Sequence, residues 1–86
     1  MDRGADLQQL RELSKLYKQK AHDLQVLIKE LDSRTASSQS IWKGPKAERF
    51  RQDWQDVKPT FSKWVDTLEE ASKSSNTSAD NIERAT

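Results

Sequence analysis

Residues 41–45 read "IWKGP", and they lie almost at the centre of an 86-residue chain that is otherwise polar and rich in helix formers. Proline suits the first position of a helix, because the N–H it lacks would have no partner there. It also pushes the preceding residue out of the helical region. Gly44 occupies that preceding position and can take the left-handed conformation that ends a helix. The stretch therefore predicts a corner at 42–45, with Gly44 closing one helix and Pro45 opening the next.

On both sides of the corner the apolar residues alternate at steps of three and four, a pattern that strands cannot produce. Upstream, one column runs Leu7, Ser14, Ala21, Ile28, Thr35, Trp42, and its companion runs Leu10, Tyr17, Leu24, Leu31, Ser38. Downstream, Ala47, Trp54, Phe61, Leu68, Ser75, Ile82 stand beside Phe50, Val57, Trp64, Ala71, Ser78, Ala85 in a register that reads as unbroken. The expected fold is all-α: a helix over 6–42, a helix from 45 to 71 or beyond, and a tight turn making them an antiparallel hairpin. Asp6 is placed to cap the N–H of Gln9, and a helix of that length spans roughly 55 Å. Pro59 falls on the outermost position of its ladder, where it should bend the helix and not break it. After Ala71 the sequence "SKSSNTSADNIERAT" keeps the spacing but loses apolar size, so 72–86 is expected to be a fraying end or a mobile tail.

Composition limits what such a hairpin can do. Only 33% of residues are apolar and 34% are charged, with net charge +1 and no cysteine. A chain this short forms one domain with a thin core, for which association is the usual remedy when disulfides and metals are missing. No basic stripe of the kind nucleic acid demands is visible. No run approaches a membrane span, and "MDRGADLQQL" lacks the apolar core of a cleaved secretory signal.

The apolar stripes are also too wide for a two-helix seam. Leu13, Leu27 and Ile41 form a third column beside the first helix's seam, with Leu16 further out. The second helix concentrates Phe50, Trp54, Phe61 and Trp64. The expected interface, within the hairpin or with a partner, comprises Leu10, Leu13, Tyr17, Leu24, Leu27, Ile28, Leu31, Phe50, Trp54, Val57, Phe61, Trp64 and Leu68. Pairing with a second hairpin into a four-helix bundle would cover it; a partly exposed lone hairpin is the alternative.

Catalytic chemistry finds no foothold. His22 is the only histidine and falls on the outer side of Ala21, with no cysteine or second histidine to join it. The seam columns hold no Glu-x-x-His pair of the kind that binds metals in bundles. Glu69–Glu70, Asp53 and Asp56 read as solvated faces, with Glu69 spaced to pair with Lys73. The serines have no activating base, and two glycines cannot make a phosphate loop. No enzyme, cofactor or metal is expected, and Tyr17 with the aromatic columns reads as packing surface and not as a ligand pocket.

Trp42-Lys43-Gly44 between two heptad helices resembles the WXG superfamily of helical hairpins, which includes the early secreted antigenic target and its culture-filtrate partner. The stretch "WKGPKAERFRQDW" is similar to the family pattern through Ala47, Phe50 and Trp54, and the resemblance covers nearly the whole chain. It implies a substrate of type VII secretion in Gram-positive or actinobacterial cells, exported as a folded dimer without a cleaved signal. The family's Tyr-x-x-x-Asp/Glu tail signal, read by the secretion ATPase, has no match here. The only tyrosine is Tyr17, and no aromatic residue follows Trp64. The resemblance thus favours a heterodimer whose other chain supplies the tail, with Trp42 and Gly44, in the turn that Pro45 completes, as this chain's half of a shared signal. A homodimer is the second choice. A cytoplasmic adaptor for a larger exported toxin and a membrane-perturbing effector are the competing functions.

Overall fold

The computed structural model describes residues 3–85. Helix α1 spans Arg3–Ser37 and helix α2 spans Pro45–Ala85, joined by a 3-10 turn at Ser38–Ser40 and a short corner. The two helices run antiparallel as a rod of 63 × 17 × 17 Å. The Cα radius of gyration is 19.2 Å, against roughly 12 Å for a compact domain of this length.

Helix α1 starts before Asp6. That residue lies inside the first turn, where its charge favours the positive end of the helix dipole without acting as the cap. The helix also ends earlier than Trp42. The hydroxyls of Ser37, Ser38 and Ser40 donate back to the carbonyls of Arg34, Thr35 and Ser37 at 3.2, 2.6 and 3.1 Å. Such back-bonding competes with the backbone ladder, and the chain tightens until the amides of Ile41 and Trp42 share the Ser38 carbonyl. Gly44 is left-handed, with φ +109°, as its place before proline requires. It does not close α1, which has already ended; its carbonyl instead accepts the Glu48 amide at 3.1 Å and so begins α2.

Helix α2 runs unbroken through the exposed Pro59 and on to Ala85, so residues 72–85 are helical. Its packing register departs from the even heptad ladder. The buried positions are Ala47, Trp54, Val65, Ser72 and Ala79, with eleven residues from Trp54 to Val65. A straight helix drifts about 20° per heptad, and an eleven-residue step restores the lost angle. Val65 therefore replaces Phe61 at the seam, and the later seam positions fall on Ser72 and Ala79 in place of Ser75 and Ile82.

Across from it, α1 buries Ser14, Ala21, Ile28 and Thr35. The apolar centre is Ala21, Ile28, Trp54 and Val65, with Leu24 and Leu68 packed against it. Where two serines meet, the helices lock by reciprocal bonds. Ser14 Oγ donates to the Ser72 carbonyl at 2.7 Å, and Ser72 Oγ donates to the Ser14 carbonyl at 2.8 Å. Toward the corner, Asp32 accepts from Trp54 Nε1 at 3.0 Å and from Lys58 Nζ at 2.8 Å.

Candidate partner interface

The buried columns leave much apolar surface uncovered. Leu13, Leu27 and Leu31 on α1 and Phe50, Val57, Phe61 and Trp64 on α2 are all exposed, Trp64 by 55%. On each helix these residues sit about a quarter-turn to the same side of the buried column, at 100° per residue. Antiparallel helices reverse the viewing sense, so both columns emerge on one face of the rod. Leu10, Tyr17, Leu24 and Leu68 are half-buried along its inner border. The hairpin exposes 6778 Å², where a compact monomer of this mass exposes about 5,200 Å².

Of the sequence-predicted interface residues, Ile28 and Trp54 are buried inside the hairpin. Tertiary packing thus divides the single sequence set between a closed seam and an open face. Trp64 lies on the open side because of the eleven-residue step. Val65, which carries the seam at that level, sat outside both heptad columns; only the drift of a straight helix could have signalled it.

Trp42 does not complete the seam of α1. With the helix ended at Ser37, its ring leaves that column and lies against Phe50, centroids 5.7 Å apart at 44°. It remains 44% exposed at the corner end of the same face. Arg51 fixes the corner from α2, donating from Nη1 to the Trp42 carbonyl at 3.1 Å and to Ser38 Oγ at 3.0 Å. Ile41 stands out from the turn, 86% exposed.

The opposite face is polar. His22 lines an open cleft of about 580 Å³ there, together with Arg11, Lys15, Lys18, Glu69 and Lys73. Among the described residues no group of side chains is arranged to hold a metal, and no helix is long and apolar enough to cross a membrane. The arrangement offers a large apolar face with a Trp-Lys-Gly corner at one end.

The family model described as proteins of 100 residues with WXG (WXG100) matches residues 4–85. This chain belongs to the WXG100 family. Among solved structures, EsxA of Geobacillus thermodenitrificans (crystal form I) is similar, with 29% identity and a TM-score of 0.87. The match covers 92% of this chain and 86% of that one. No curated protein matches. WXG100 membership agrees with the residues that suggested it: Trp42 and Gly44 at the corner, and Ala47, Phe50 and Trp54 after it. WXG100 proteins are small type VII secretion substrates, and the antiparallel hairpin is the fold this chain shares with EsxA.

Proposed function

We propose that this chain is a non-enzymatic substrate of a type VII secretion system, exported folded as a dimer with a second WXG-type hairpin. The observation that supports it is the one-sided apolar face, from Leu13 to Leu31 on α1 and from Phe50 to Leu68 on α2. A second hairpin laid on that face makes a four-helix bundle and removes Trp64, Phe61 and Leu27 from water. The secretion ATPase then engages the dimer, with Trp42 and Gly44 forming this chain's contribution to the recognised surface. A heterodimer with a different WXG-type hairpin is the favoured pairing, and a homodimer is the alternative.

Native mass spectrometry of the purified chain, alone and mixed with the hairpin protein encoded beside it, tests the pairing. A dimer in either sample is expected. A stable helical monomer in both at micromolar concentration overturns it. Export is tested in culture supernatants of cells with and without the secretion ATPase. Retention in the cytoplasm of cells with an active system identifies a cytoplasmic adaptor instead.

A further inference from the structure

The last turns of α2 are held in a different way from the rest of the hairpin. Beyond Leu68 the buried positions are only Ser72 and Ala79, and Ile82 is the one larger apolar side chain, half-buried. So small a seam removes little apolar surface from water. Past the Ser14–Ser72 bonds, Arg11 joins this stretch to α1 at three points. Arg11 Nη1 donates to Asn76 Oδ1 at 2.9 Å, and Nη2 donates to Asp80 Oδ1 at 3.0 Å and to Glu83 Oε2. The three acceptors follow one another at four and three residues along one stripe of α2, so one fork spans two turns. Its pairs are partly open to water, with the Arg11 side chain 34% exposed and Asp80 46%.

We propose that residues 76–85 form a segment that opens on its own, with Arg11 as its latch, so that ionic strength sets how often the end of α2 leaves α1. The centre of the hairpin closes mainly by apolar packing around Trp54, Ile28 and Val65, which salt does not weaken, with one ion pair, Asp32–Lys58, beside it. The end closes by charge-assisted bonds at the surface, which salt screens. The low-stability unit is therefore at the open end of the rod, and the Ser14–Ser72 lock marks its boundary. Opening turns a docked helix end into a polar arm of about ten residues that another chain can take hold of. The inference rests on the hairpin alone and not on the export reading.

Amide hydrogen exchange, read by residue at one oligomeric state in about 0.05 M and about 0.5 M NaCl, tests it. In the unaltered chain, exchange across 76–85 should rise about fivefold with salt while amides of 50–68 rise far less. Arg11→Gln should exchange fast at both salt concentrations, and Arg11→Lys should fall between. The double variant Asp80→Asn/Glu83→Gln takes the charge from two of the three acceptors and should also speed exchange across 76–85 and flatten its salt dependence. Unchanged protection at 76–85 in both disrupted variants overturns the proposal. So does an equal rise across 50–68, which would mean that the end and the centre open together.

Discussion

Two tryptophans that look alike in the sequence have different work in the structure. Trp54 is 5% exposed, stacks on Phe61 with centroids 6.2 Å apart, and donates its indole N–H to Asp32. Truncating it leaves a cavity in the apolar core with Ala21, Ile28 and Val65 and removes a donor from Asp32. Trp54→Ala should therefore lower unfolding free energy by about 3–5 kcal/mol in urea titrations. Trp42 lies on Phe50 but is nearly half in water, so Trp42→Ala should cost the hairpin only about 1–2 kcal/mol. Asp32 adds a pH dependence. The hydrogen bond from Lys58, then that from the Trp54 indole, holds its carboxyl below the ordinary aspartate value. A carboxyl lowered in the folded state binds its proton more readily when unfolded. Its stabilisation is thus full above that value and is lost as pH falls through the folded pKa. Melting temperature should drop below about pH 4, and Asp32→Asn should flatten that part of the profile.

At the scale of the element, helix α2 was legible in existence and start but not in register. Pro45 and the glycine before it fix where it begins, through constraints that act within two residues. Its inner face is a long-range property, set by how a helix of 41 residues stays in contact with a partner despite the drift of a seven-residue repeat. That is why Phe61 and Trp64, in seam columns by heptad count, face outward beside the buried Val65. The end of α1 was misplaced for a local reason: three serines within Ser37–Ser40 turn their hydroxyls onto the backbone, and apolar spacing is blind to that competition. Pro59 offers a test of what a missing backbone donor costs α2. It is exposed and leaves the helix continuous, so Pro59→Ala restores a backbone donor. Thermal melting should show stabilisation by about 1–3 kcal/mol; a loss instead would mean that the fixed backbone of Pro59 helps seat α2 against α1.

For the whole molecule, Leu27, Leu31, Phe61 and Trp64 are exposed on one face, and variants there should separate folding from association. Leu27→Asp and Trp64→Asp place charges on residues that are already exposed in the hairpin. Circular dichroism should stay helical while analytical ultracentrifugation shows association weakened by about tenfold or more, as expected when a charge enters an apolar interface. Loss of helix along with association would mean that the hairpin cannot stand without its partner. The sequence by itself determined the all-α class, the two long helices, the corner at Gly44–Pro45 and the resemblance that placed the chain among WXG proteins. Each of these rests on local stereochemistry or on a periodicity visible within a few turns. Only the tertiary structure decided which apolar residues close the seam and which stay open, and that Arg11 reaches across to the end of α2. Those depend on the azimuth of each residue on two helices in contact, a quantity that accumulates along the whole rod and is fixed only when the helices pack.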